Sequence, residues 1–158
     1  MDGVLNLSKP EGPTSHDVVS SVRRITGQGK AGHAGTLDPM ATGVLVVCIG
    51  SATRIVEYLM GRPKEYRARM MLGRSTDTGD ATGAPSGGST AEGIAREQFE
   101  AAASRFVGEI SQVPPMVSAL KRQGKRLYEL ARDGVKVELE PRPVTVYSID
   151  VLDFSPGE

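Results

Sequence analysis

Cys48 is the single cysteine among 158 residues, so no internal disulfide can staple this chain. Two histidines, His16 and His33, cannot supply a tetrahedral zinc set alongside it, which argues against a structural metal. Stability must come from ordinary packing, and a hydrophobic share of 39% is enough for a core in about one domain. Charge excess of either sign is also missing. Nineteen Lys and Arg balance nineteen Asp and Glu, so any contact with nucleic acid must rest on a local basic patch. The apolar runs, such as Val44 to Ile49, fall far short of the roughly 18 residues that span a bilayer. The N-terminus lacks a basic stretch followed by an apolar one, and together these predict a cytoplasmic chain with no membrane partner. Tryptophan is absent. What the chain has in quantity is 19 glycines and 10 prolines, a composition of turns and loops, where binding and catalytic groups are often carried.

Read in order, Gly3 to Leu7 is a short strand that Lys9 to Pro13 interrupts, and Thr14 or Ser15 caps a helix running to about Thr26. Val18, Val19, Val22 and Ile25 form its apolar face. A long glycine-rich connection, Gly27 to Gly43, leads into the strand Val44 to Ile49, whose unbroken apolar run predicts burial on both faces, with Cys48 as a small core residue. Ser51 caps a second helix with Ile55, Val56, Leu59 and Met60 inward, ended by a left-handed Gly61. Lys64 to Leu72 alternates, Tyr66, Ala68, Met70 and Leu72 on one face and Arg67 and Arg69 on the other, as in a half-exposed strand. Arg74 to Thr90 is polar and aperiodic and reads as a loop; Ala95 to Val107 returns to helical spacing. Basic residues then gather at Lys121, Arg122, Lys125, Arg126 and Arg132, and Val144 to Phe154 is a last strand. The order implies an α/β (α+β) chain with a mixed, mainly antiparallel sheet and packed helices, without repeats or a second-domain linker. The last strand has no successor, which predicts an open apolar edge.

Two short matches mislead. Gly27-Gln-Gly-Lys-Ala-Gly32 fits the dinucleotide pattern GxGxxG, yet it follows a helix where that fingerprint must follow a strand. Ser118 and Lys121 fit SxxK without the companion motifs of penicillin-recognising enzymes. The run GHAGTLDPMATGVL, Gly32 to Leu45, is different. On spacing alone it is a glycine-rich loop in which Asp38 and Pro39 make a turn and Thr42 satisfies backbone donors. It also fixes one carboxylate and one histidine on a loop that returns directly into a buried strand, an arrangement suited to a covalent or binding site.

That run closely resembles the signature of the TruB family of pseudouridine synthases. Further ordered matches are LNLSKPEGPTSHDVV at Leu5 to Val19, KEYRA at Lys64 to Ala68, GRSTDTGDATG at Gly73 to Gly83, and QVPPMVSALKRQGKRLYELARDG at Gln112 to Gly134. The resemblance implies the pseudouridine synthase fold and the isomerisation of uridine-55 in the T loop of transfer RNA, without cofactor or metal. It implies that Asp38 is the nucleophile, attacking uracil C6 or ribose C1′, and that Tyr66 lies against the flipped uracil and assists proton removal at C5. His33 is implied to fill the space of the extruded base and Asp80 to contact the flipped nucleotide. Lys9, Pro10, Gly35 and Pro39 are implied to support the active-site loop. Residues 112–134 correspond to a thumb loop that closes on the T stem-loop, with Lys121, Arg122, Lys125 and Arg126 placed against RNA.

The structural alternatives to these roles are a packed strand aromatic for Tyr66, a solvent-exposed loop histidine for His33, a loop-capping carboxylate for Asp80 and a solvated face for the basic residues. The family's later motif resembling GTYIR, whose arginine pairs with the aspartate, is not in the sequence, nor is the C-terminal RNA-binding domain that usually follows. The chain therefore reads as the N-terminal part of a synthase catalytic domain, apparently truncated and inactive alone, with the remainder of the same protein as an expected partner. The competing function class is a non-catalytic RNA-binding or tRNA-folding module.

Overall fold

The computed structural model describes residues 1–114 and 139–155, and the backbone of residues 121–122 and 125–126. The chain separates into two compact units, Met1–Arg67 and Ala68–Glu158, although composition marks no linker. The boundary falls inside the segment whose alternation predicts a strand. Residues 64–71 are exposed and form no strand, because alternation alone cannot satisfy backbone groups and no partner ladder meets them among the described residues.

In the first unit, β1 (Gly3–Lys9), α1 (Ser15–Thr26), β2 (Ala31–His33) and β3 (Gly43–Ile49) build a three-stranded antiparallel sheet, order β1-β3-β2, with α1 packed on it. Gly3 pairs with Ile49 and Lys9 with Gly43, so β1 runs two residues beyond its predicted end. β2 lies inside the predicted loop. Its register, Ala31 against Ile49 and His33 against Val47, extends the sheet under α1. Val19, Val22, Ala31, Leu45, Val47 and Ile49 form the core, with Leu5, Leu7, Val18 and Leu37 packed against it. β3 alternates over its first half and is buried on both faces over its second, where Cys48 is wholly enclosed and desolvation pushes its thiol pKa up. Thr14 caps α1 by accepting from the Asp17 amide while the Asp17 carboxylate accepts from the Thr14 amide and hydroxyl, a reciprocal box that holds the Asp17 carboxyl below the usual range. Ile25 does not join the core and is 79% exposed, because a correct helical angle buries a side chain only where a partner lies beneath that turn.

Gly50–Ile55 is a 3₁₀ turn and α2 (Val56–Met60) a short helix after it. Three residues per turn instead of 3.6 rotates the expected face, so Ile55 and Met60 are exposed while Val56 and Leu59 are half-buried. Ser51 is not a side-chain cap here; its amide donates to Asp2 Oδ1 at 2.6 Å, which lowers the Asp2 pKa. Gly50 is required there: its φ is +61°, and a Cβ would run into the Asp2 carboxylate and sit 2.6 Å from the Met1 carbonyl. Gly61 is right-handed, φ −77°, rather than the predicted left-handed stop.

In the second unit the predicted polar loop contains a hairpin, β4 (Arg74–Thr76) with β5 (Pro85–Gly88), its register shifting between Ser75 and Thr76. α3 (Arg96–Ser104) is shorter than the predicted helix, and β6 (Gly108–Gln112) pairs antiparallel with β9 (Arg142–Val146). Val144 to Val146 pairs with β6 on one side only, in a sheet of two strands among the described residues, and the ladder stops at Val146 rather than Phe154. Beyond it the chain is held to α3: Arg96 Nη2 donates to the Val151 carbonyl at 2.6 Å, and the Phe99 and Phe154 rings lie 5.8 Å apart. β7 (Lys121–Arg122) and β8 (Lys125–Arg126) pair as a minimal ladder within the expected thumb, Lys121 against Arg126 and Arg122 against Lys125. The rest of that thumb from residue 115 to 134, Arg132 included, lies outside the described residues.

Candidate functional site

Asp38 is exposed at the first position of a tight turn in which the Ala41 amide donates to the Asp38 carbonyl at 3.0 Å. Pro39 suits the second position because its ring presets φ and it has no amide to satisfy. Both flanks of the aspartate are tied to other elements. On the N-terminal side, Leu37 packs against the core, its amide donates to Ser15 Oγ at 2.9 Å, and the Ser15 hydroxyl donates to the Leu37 carbonyl at 3.0 Å. Ser15, the first residue of α1, is 2% exposed, so this two-way bond is shielded from water.

On the C-terminal side stands Lys9, at the end of β1 and 1% exposed. Its ammonium donates to the carbonyls of Ala41 at 2.7 Å, Pro10 at 2.9 Å and Pro39 at 3.2 Å, which uses all three donors. A buried charge costs heavily unless its hydrogen bonds are made, and here the main chain of the turn and of Pro10 makes them. The Gly12 amide also donates to the Pro39 carbonyl at 2.8 Å. Gly12 takes φ +105° to do so, in the region where other L-residues are strained. Asp38 is thus presented from a turn locked to β1 and α1, while its carboxylate faces solvent. Ser15 and Gly12 carry no sequence signal for this work; each becomes legible only through its partner across the fold.

Tyr66 is 68% exposed, so it is not a packed core aromatic. His33 is half-buried at the end of β2, opposite Val47, and its Nδ1 is enclosed without a hydrogen-bond partner among the described residues. It is not a freely solvated loop histidine. Lys9, Pro10, Gly35, Asp38, Pro39, His33 and Tyr66 all belong to the first unit, and Asp80 belongs to the second.

Asp80 sits in the loop between β4 and β5. Its Oδ1 accepts from the Thr82 hydroxyl at 2.6 Å, the Thr82 amide at 2.8 Å and the Thr78 hydroxyl at 2.9 Å. The Thr82 side chain, then the Thr82 amide, then the Thr78 side chain hold its carboxyl below the usual 3.8. A depressed carboxyl pKa stabilises the loop above the unfolded value and withdraws that support as pH falls through the folded one. The Thr82 amide resonance should therefore titrate with a midpoint below pH 3.8. A midpoint at or above that value would contradict the bonding.

The family model for TruB family pseudouridylate synthase (N terminal domain) matches residues 23–158. The chain belongs to the TruB family. A tRNA pseudouridine synthase B from Symbiobacterium thermophilum is 56% identical over 99% of this chain and 52% of its own length. The chain spans about half the length of the curated relatives it matches. Among solved structures, one chain of a Cbf5-Nop10-Gar1 complex is 31% identical, covers 98% of this chain and 36% of its own, and superposes with a TM-score of 0.59. A chain from an H/ACA RNP bound to a substrate RNA containing 2′-deoxyuridine is 32% identical over 77% of this chain and 34% of its own, with a TM-score of 0.51. These neighbours bear out the mixed, mainly antiparallel α/β class and the pseudouridine synthase fold. Among the described residues no helix is long and apolar enough to cross a membrane.

Proposed function

We propose that this chain carries the nucleophile end of an RNA uridine isomerase that converts uridine-55 in the T loop of transfer RNA to pseudouridine, with Asp38 attacking uracil C6 or ribose C1′. The observation that carries the reading is the exposed Asp38 carboxylate on a turn clamped at Leu37 and Pro39, inside the segment that resembles the family signature. A fixed carboxylate can bond covalently and leave again without a cofactor. In the reaction the N1–C1′ bond breaks, the uracil turns, and a C5–C1′ bond forms. C5 gives up its proton and N1 gains one, so the formula of the nucleotide is unchanged. Tyr66, exposed and lacking a packing role, is the group assigned to assist removal of the C5 proton.

The glycosidic bond is out of reach inside a folded T loop, so the nucleotide must be extruded, at an unstacking cost of a few kcal/mol that replacement contacts offset. His33 is assigned to the vacated space and Asp80 to the flipped nucleotide. Asp80's oxygen is already engaged by Thr78 and Thr82, which supports a prepositioned acceptor as well as a loop cap. Lys9, Pro10, Gly35 and Pro39 are the support of the Asp38 loop, a role that the Lys9 hydrogen bonds favour. Lys121, Arg122, Lys125 and Arg126, on the two paired segments of the thumb, are assigned to phosphates. Neutralising one of them should weaken binding to all T-loop substrates alike and lower the salt slope by about one unit. An unchanged slope in all four variants would assign them to a solvated face.

The relatives at about half identity are named as tRNA enzymes, which favours a stand-alone tRNA isomerase over a guide-dependent one. The test is release of tritium from a T stem-loop RNA labelled at uracil C5 by the full-length protein. Release that disappears when the target uridine is replaced by cytidine supports the reading. Binding of that hairpin without release would favour the non-catalytic RNA-binding module.

A further inference from the structure

Lys64 opens the segment that carries Tyr66, yet nothing so far gives its side chain work. It is exposed, and its structure is nonetheless defined by two attachments. Its Nζ donates to the Met60 carbonyl at 2.7 Å and to the Arg62 carbonyl at 3.3 Å. Met60 is the last residue of α2, where carbonyls have no amide partner within the helix, and Gly61 is not in the left-handed conformation that often satisfies them. The ammonium supplies that missing donor and places a positive charge at the negative end of the helix. The second attachment is apolar. Lys64 Cε lies 3.7 Å from where a Cβ on Gly35 would stand, so the methylene stem passes over Gly35, three residues before Asp38. One side chain therefore reaches the space above Gly35 in the Asp38 loop and closes the end of α2, while its main chain leads two residues on to Tyr66.

We infer that Lys64 is a positioning residue: it holds the Gly35 to Asp38 loop against the start of the segment that bears Tyr66, and so sets the placement of the two groups assigned to the reaction. The inference rests on the functional reading above. Its physical basis is that attack and proton removal require two groups from separate elements in one geometry, and small misplacements of such groups cost large factors in rate. An ammonium spent on main-chain carbonyls is also a poor phosphate contact, which separates this role from that of the thumb.

Lys64→Met keeps the stem over Gly35 and removes the donors, whereas Lys64→Arg keeps donors. In the full-length protein, single-turnover rate, affinity for tRNA across salt, and hydrogen exchange at the Leu37 and Ala41 amides are measured for both. Lys64→Met should lower the rate about ten- to a hundredfold with affinity and salt slope unchanged, and speed exchange at both amides, and Lys64→Arg should restore the rate. A wild-type rate and wild-type exchange in Lys64→Met would overturn the inference. So would a salt slope shallower by about one unit with the rate intact, which would make Lys64 a phosphate contact. If the unsubstituted protein isomerises no uridine, the functional reading fails on its own. In that case unchanged exchange overturns the mechanical link as well, and faster exchange overturns only its assignment to this reaction.

Discussion

Asp38→Asn in the full-length protein is expected to lower pseudouridine formation by at least about a thousandfold, roughly 4 kcal/mol of transition-state stabilisation, while tRNA affinity stays near wild type. The two side chains are nearly isosteric. The main-chain bonds that present the turn, from Ala41, Lys9 and Gly12, do not involve the carboxylate and survive the change. An amide, however, cannot serve as the attacking group, so the loss falls on chemistry and not on binding. Single-turnover kinetics beside equilibrium binding separates the two. Turnover near wild type would remove Asp38 from the mechanism, and loss of binding with chemistry intact would make it a recognition residue.

Lys9→Met should produce the largest loss of stability at the site. Methionine roughly fills the channel of the lysine stem, so the change isolates the ammonium. Without it the Pro10 and Ala41 carbonyls lose their donor, while the Pro39 carbonyl keeps the Gly12 amide. Acceptors left unmade cost about 1–3 kcal/mol each, so unfolding in urea should show a loss of roughly 2–6 kcal/mol for the two. Because the same turn presents Asp38, the rate should fall even where the variant remains folded. A loss well under 1 kcal/mol would mean that water replaces the ammonium, and that the turn is held mainly from the Ser15 side.

How much of this was legible in the sequence varied with the length and strength of the local signal. β1, α1 and β3 follow their apolar patterns because each packs against the same core, and a cap at Thr14 or Ser15 places the start of α1 within one residue. β2 has no local signal: three residues, Ala-Gly-His, carry no alternation and no β-branched side chain, and only pairing with β3 makes them a strand. β5, Pro-Ser-Gly-Gly, hides for the same reason. Residues 64–72 show the converse: their alternation is clear, yet no partner ladder meets them among the described residues. At the site, Asp38 and Tyr66 are legible only through the resemblance, since spacing alone makes Asp38 a turn residue and Tyr66 a strand aromatic. The bonds that give the turn its rigidity, Ser15 to Leu37 and Lys9 to Pro39, join residues 22 and 30 positions apart, and no local pattern encodes them.

The most direct measurement is a map of pseudouridine in an unmodified tRNA transcript after incubation with the full-length protein, beside its Asp38→Asn variant. Isomerisation leaves the mass of the nucleotide unchanged, so the map is read by chromatographic separation of the nucleosides from defined fragments. The account predicts one pseudouridine, at position 55, with the unsubstituted protein and none with the variant. Pseudouridine at position 55 with both proteins, or at other positions alone, would contradict it.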